Sequence, residues 1–284
     1  MSTEEKVASP AVADSPCEAC PAHHAGNLIR LGVNMANWDF VVALAGNPNT
    51  GKTTVFNSLT GLRQHTGNWP GKTVVRAEGG FAYAGQRYKL MDLPGTYSLL
   101  STSDDEEVAR DFILFGSPDV TVVVVDATVL ERNLNLVLQV LEITDRAVIC
   151  LNLMDEVQRR GMEVDERRLA RDLGVPVVPT VARKGEGIPE LLQAVSDVAA
   201  GRAICKPHRI ESPPGLKNAL GDLTDEVATA FPGLPNARWV ALRLLEGDGR
   251  IAEAVRSGEI ADLGRHLSSR VPSDAGLVLQ EMEE

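Results

Sequence analysis

Gly46, Gly51, Lys52 and Thr53 stand in the order G-x-x-x-x-G-K-[ST] inside the stretch GNPNTGKTT, residues 46–54. In that spacing backbone N–H groups can wrap a polyphosphate, the lysine ammonium can reach its terminal oxygens, and the threonine hydroxyl can hold Mg2+. Asn47, Thr50 and Thr54 share the loop and count with it as phosphate-side contacts. Asn49 raises a question, because phosphate binding asks only for permissive backbone there, and asparagine suits such a turn.

Three later stretches extend the chemistry. DLPG, residues 92–95, offers Asp92 to the outer sphere of Mg2+ and the Gly95 N–H to a γ-phosphate. NLMD, residues 152–155, offers Asn152 and Asp155; an aspartate there accepts two hydrogen bonds from guanine N1 and N2, which adenine lacks. TVARKGEG, residues 180–187, offers the Ala182 N–H to the guanine carbonyl. In this order, each after a strand-like segment, the four motifs imply a site that binds and hydrolyses GTP.

Elements must exist to aim these loops. Strand-like runs are read at Phe40 to Ala45, Val74 to Tyr83, Tyr88 to Asp92, Val120 to Asp126, Ala147 to Asn152 and Val175 to Pro179. Helical patterns fall at Lys52 to Gly61, Asp105 to Phe115, Leu130 to Leu141, Asp165 to Leu173 and Ile188 to Ala199. The run VTVVVVDA suits a strand buried on both faces. The fold predicted is α/β, a Ras-like P-loop domain with a mostly parallel sheet and its ligand at the carboxyl ends of the strands. After the Pro-rich KPHRIESPPG only helix patterns follow: Leu216 to Ala230, Ala237 to Glu246, Arg250 to Ser257, Glu259 to Ser269 and Ser273 to Glu284. The expected organisation is a flexible tail over 1–37 with room for a short ordered turn near NLIRLG, a nucleotide-binding domain over 38–203 and a small all-helical domain over 204–284.

The chain has 284 residues, 28 basic against 39 acidic, for a net charge of −11. That balance gives no basic face for nucleic acid. No apolar run is long enough to span a bilayer, and no secretory signal is legible, so the expectation is a soluble, cytoplasmic chain. Cys150 reads as a small buried hydrophobe, and Cys205 lies in a linker. Cys17 and Cys20, followed by His23 and His24, carry the right atoms for zinc or iron; a tail with incidental cysteines is the competing reading.

The stretches GNPNTGKTTVFNSLTG, GNWPGKTV, DLPGTYSL, VVDATVLERNLNL and RWVALRLLEGD resemble the cytosolic N-terminal region of the ferrous iron transport protein B family. The resemblance runs from about Phe40 to about residue 250, and GNWPG and LEGD are not general GTPase motifs. It implies a GTPase domain followed by a helical domain acting as an internal inhibitor of GDP dissociation. A membrane permease would come next, so this chain looks like a soluble fragment from the cytoplasmic face of a bacterial inner membrane, with homo-oligomers open. It also implies a role for Asn49 as a K+ ligand beside the phosphates, completed by first-switch carbonyls at Gly67 and Trp69. Thr73 would be the switch threonine that meets Mg2+ and the γ-phosphate only with GTP. Lys52, Asn49, Thr73 and Gly95 are thus the expected catalytic group; Thr53, Thr73 and Asp92 the Mg2+ group; GTP or GDP, Mg2+ and K+ the cofactors.

Departures matter too. Thr96 stands where Ras-like enzymes place a water-orienting glutamine, so slow turnover is expected. Leu153 replaces a lysine that packs along the base, Val181 a serine of the fifth motif, and Thr50 a serine of the loop. Two other readings compete: a potassium-dependent GTPase acting on ribosome or tRNA, which the acidic charge disfavours, and a helical unit that is only a docking module.

Overall fold

The computed structural model describes residues 28, 31, 33–62, 64–100, 103–209, 214–232, 234, 236–258 and 260. Five strands form the parallel part of a seven-stranded sheet: β1 (Phe40–Gly46), β4 (Gln86–Asp92), β5 (Val120–Asp126), β6 (Ala147–Asn152) and β7 (Val177–Pro179). β2 (Gln64–Asn68) and β3 (Val75–Tyr83) add an antiparallel hairpin, giving the order β2-β3-β4-β1-β5-β6-β7. β1 lies between β4 and β5, so the strand order turns there, which opens a crevice at the carboxyl ends.

Side-chain alternation divides the core between the sheet's two faces. Val42 and Leu44 of β1 point to one, packing with helix α1 (Lys52–Thr60) and helix α6 (Ile188–Ala199). Val41, Ala43 and Ala45 point to the other, with α2 (Asp104–Phe115), α3 (Leu130–Ile143) and α5 (Glu166–Leu173). β5 is almost wholly valine and buried along its length, as a central strand covered on both faces should be. α3 buries Leu136, Val137, Val140 and Leu141 at helical spacing. A short helix, α4 (Met154–Arg159), follows β6 directly.

Three more helices, α7 (Pro214–Ala230), α8 (Ala237–Leu245) and α9 (Gly249–Ser257), extend the second core. They meet α2 through charge as well as apolar contact. Arg110 of α2 is wholly buried, with Asp248 at 3.1 Å and Asp111 at 2.9 Å. Arg250 reaches Asp111 at 3.4 Å and lies over the Phe115 ring at 4.6 Å. Burial pushes the Asp111 carboxyl up, while Arg110 and Arg250 pull it the other way. Asp248 also caps α9, accepting from Arg250 N and Ile251 N.

Several expectations change here. The ordered structure begins before the expected tail boundary at residue 37: Leu28 and Val33 are wholly buried in the core, and Lys89 Nζ donates to the Asn34 carbonyl at 3.0 Å. β2 went unread because its sequence, QHTGN, is polar and exposed throughout; cross-strand pairing alone makes it a strand. α4 is missing from the expectation because it starts inside a binding motif and spans only six residues. The last two helix patterns, apart from Ile260, and the Cys17, Cys20, His23 and His24 cluster lie outside the described residues.

Candidate functional site

All four motifs follow carboxyl ends of parallel strands: residues 46–53 follow β1, Asp92 ends β4, Asn152 ends β6, and Thr180 follows β7. Two glycines show why the first loop tolerates nothing larger. A Cβ on Gly46 would sit 2.6 Å from the Val124 carbonyl of the neighbouring strand. A Cβ on Gly51, whose φ is +84°, would collide with the Asn152 amide. The α1 N-terminus therefore comes close to the loop after β6, and it has no side-chain cap, the situation in which a helix start suits an anion.

Asn152 ties three loops together. It is 2% exposed; its Nδ2 donates to the Thr50 carbonyl at 3.0 Å, while its Oδ1 accepts from Ala182 N at 3.1 Å and Thr180 Oγ1 at 3.2 Å. The Ala182 N–H expected to face a guanine carbonyl is thus held by Asn152. Donating to a base would require this N–H to exchange or share its Asn152 partner. Ser58 Oγ of α1 also reaches the Ala182 carbonyl, at 3.1 Å.

Asp155 sits at the start of α4 with two different oxygens. Oδ2 pairs with Arg183, with Arg159 at 3.7 Å and Lys184 at 3.9 Å; Oδ1 is buried without a hydrogen-bond partner. An orphaned carboxylate oxygen is costly unless something donates to it, which fits a base edge carrying N–H groups. Burial tends to raise this carboxyl, but the Arg183 hydrogen bond and surrounding positive charge outweigh it and hold it below the usual range. Leu153, before it, has φ +65°, a left-handed conformation uncommon for leucine and a mark of local strain.

On the phosphate side, Lys52 forms an ion pair with Asp92 and donates to the Leu93 carbonyl at 2.5 Å. Burial raises the Asp92 carboxyl, and the Lys52 charge opposes that rise. Thr96 N donates to the Gly46 carbonyl at 3.3 Å, joining the third motif to the first. Gly95 lies beside Pro48, and Thr53 and Asn49 are exposed. Thr50 Oγ1 turns back to the Asn47 carbonyl at 3.0 Å, and Thr54 is half-buried at the front of α1. Asn47 is 3% exposed, and its Nδ2 has no partner. Asn49 has φ +66°, so the turn conformation that asparagine tolerates is in use, and its side chain stays open to solvent.

The residues expected to form the first switch lie elsewhere along the sheet. Trp69, Pro70, Gly71 and Lys72 form a turn in which Lys72 N donates to the Trp69 carbonyl at 3.1 Å, with Gly71 at φ +71°. Proline then glycine at its centre is the signature of a type II turn, which accounts for the WPG of the motif. Gly67 pairs with Arg76 in the β2–β3 ladder, and Trp69 is buried edge-on against Phe112 of α2. The two positions expected to complete a K+ shell with Asn49 are thus engaged in a hairpin, not gathered at the loop. Thr73 is exposed. Ala77 of β3 pairs with Asp92, so Thr73 stands four residues from that register and within about 14 Å of it along the chain.

The groups that would hold a nucleotide and Mg2+ fit them: close-approach glycines, an unpartnered Asp155 oxygen, an unpartnered Asn47 amide, and Asp92 with Thr53 at the loop. Among the described residues no cluster of three or more His, Cys, Asp or Glu is placed to hold a metal, and no helix is long and apolar enough to cross a membrane.

Comparison with known proteins agrees with this geometry. The family model described as ferrous iron transport protein B matches residues 40–195. The Fe(2+) transporter FeoB of Salmonella choleraesuis (strain SC-B67) is 44% identical over 224 residues, 78% of this chain and 28% of its own length. That of Escherichia coli (strain K12) is 41% identical over 211 residues, 73% of this chain and 27% of its own. This chain therefore spans little more than a quarter of the curated relatives it matches. The cytosolic domain of T. maritima FeoB in GDP form I has a TM-score of 0.70 at 36% identity, with 81% of this chain and 92% of that one covered. The cytosolic domain of L. pneumophila FeoB has a TM-score of 0.69 at 34% identity, covering 85% and 93%. A match over more than half its length, on the segment that carries all four motifs, places this chain in the ferrous iron transport protein B family.

Proposed function

We propose that this chain binds GTP, hydrolyses it slowly, and uses that cycle to regulate ferrous iron passage through a membrane permease of the kind that the family resemblance implies. The observation that carries the reading is Asn152, which binds the phosphate loop to the guanine-side turn and so makes four separated motifs into one site. Structures of relatives support it: T. maritima FeoB in a GDP form and an S. thermophilus NFeoB mutant bound to GDP.

The chain's own groups divide the work. Residues 46–53 wrap the phosphates with backbone N–H groups, and Lys52 leaves Asp92 for the β/γ oxygens. The Gly95 N–H faces the γ-phosphate. Thr53 and Asp92, joined by Thr73 in the GTP state, would hold Mg2+, which when bound neutralises phosphate charge. Asn49, with carbonyls at Gly67 and Trp69 once the hairpin opens, would hold K+ and supply fixed positive charge where an arginine finger acts elsewhere. Thr96 carries no amide to orient a water, so turnover is slow. The helical domain begins near residue 204 and restrains GDP release through its contacts with α2.

GTP turnover in matched K+ and Na+ buffers, for the wild type and Asn49→Ala, tests this. K+ stimulation that disappears in Asn49→Ala is expected. Equal rates in both salts would remove K+ from the mechanism, and no GTP turnover in either would overturn the enzyme assignment.

A further inference from the structure

Lys72 belongs to none of the four motifs, yet it is the residue immediately before the switch threonine, Thr73. Its Nζ lies 3.0 Å from Asp104 Oδ1 and 3.0 Å from Glu107 Oε2. Both carboxylates stand in the first turn of α2, which is acidic at all four positions, Asp104 to Glu107, and capped by Ser103. Acidic side chains suit a helix N-terminus, but four together repel, and a lysine between two of them relieves that repulsion.

The rest of the turn is fixed to the same helix. Trp69 packs edge-on against Phe112 with ring centroids 5.3 Å apart, and Trp69 N donates to the Val74 carbonyl at 3.0 Å. With Lys72 N on the Trp69 carbonyl, both ends of the Trp69–Val74 loop are tied, so Thr73 cannot swing alone. Thr73 is exposed and sits inside this tied loop, so whatever holds the loop on α2 also fixes where Thr73 stands.

We propose that Lys72 is a positioning residue of the first switch: with Asp104 and Glu107 it latches the turn onto α2, and GTP must open that latch for Thr73 to reach the γ-phosphate. The latch therefore taxes GTP and leaves GDP, which lacks the γ-phosphate, untouched. The inference rests on the GTP-binding reading above. A partly exposed lysine bridging two carboxylates is worth little in stability, so the effect belongs in nucleotide preference.

The test is equilibrium binding of a fluorescent GDP and a fluorescent non-hydrolysable GTP analogue to the whole chain, in wild type, Lys72→Met, Lys72→Arg and the doubly neutralised Asp104→Asn/Glu107→Gln. Lys72→Met and the double variant should each shift the affinity ratio about two- to fivefold toward the GTP analogue, with GDP affinity unchanged, and Lys72→Arg should restore the wild-type ratio. A lysine that only supports the fold would move both affinities together. An unchanged ratio, or one shifted toward GDP, in variants that still bind GDP would overturn the latch while leaving the nucleotide site standing. A wild-type chain that binds neither probe would overturn the site, and the latch with it.

Discussion

Replacing Asn152 with alanine probes whether one side chain holds the site together. The amide makes three hydrogen bonds in a region 2% exposed to solvent, to Thr50, Thr180 and Ala182. A net contribution of about 1 kcal/mol for each gives a loss of roughly 3 kcal/mol. The Thr50 carbonyl and Ala182 N–H are then left to find other partners, which keeps the loss from being smaller. For a chain of this size that predicts a fall in melting temperature of roughly 6–12 °C without nucleotide. Differential scanning fluorimetry of wild type and Asn152→Ala, with and without saturating GDP, measures it. The stabilisation by GDP should shrink as well, because the loop and the turn no longer share a fixed spacing and binding must order them. A variant that melts within about 2 °C of wild type, with the same gain from GDP, would show that the loops are held by the sheet alone.

Asp155→Ala should weaken GDP about 150- to 25,000-fold, since two hydrogen bonds to a charged acceptor are lost at about 1.5–3 kcal/mol each; competition binding with GDP and ADP checks both the loss and the fall in base preference. Asp92→Asn should flatten the pH dependence of stability in the nucleotide-free protein. Burial raises the Asp92 carboxyl above its unfolded value although Lys52 opposes the rise, so its contribution is full below the unfolded value and is lost as pH rises through the folded one; wild type should gain stability relative to the variant as pH falls toward 4, and chemical denaturation at several pH values reads it.

How far the sequence carries the reader depends on which forces are local. The four motifs were legible because each fixes its own chemistry: Gly51 must be glycine where the Asn152 amide approaches, and the apolar runs of β1 and β6 before two of the motifs are strands buried on both faces. The parallel order followed from strands alternating with helices. β2 was not legible, because QHTGN has neither apolar alternation nor β-branched bulk beyond Thr66, and its state is set by β3 across the ladder. Leu28 falls in NLIRLG, where a short ordered turn was expected, but isolated apolar residues carry no period, so the burial of Leu28 and Val33 in the core was not legible.

The site shows the same division. A motif names the donor or acceptor a ligand needs, but not where that group rests without the ligand. Ala182 N–H was assigned to the base and is held by Asn152; Lys52 was assigned to phosphate and is paired with Asp92. Each of these groups has a substitute partner inside the protein, so its buried charge or dipole is not left unsatisfied when no nucleotide is present. Asp155 Oδ1 and Asn47 Nδ2 lack such a partner. Binding therefore exchanges partners at Lys52 and Ala182 but adds new ones at Asp155 and Asn47. Net affinity should come mainly from the second pair, because an exchange of one hydrogen bond for another is nearly neutral and the satisfaction of an orphan is not.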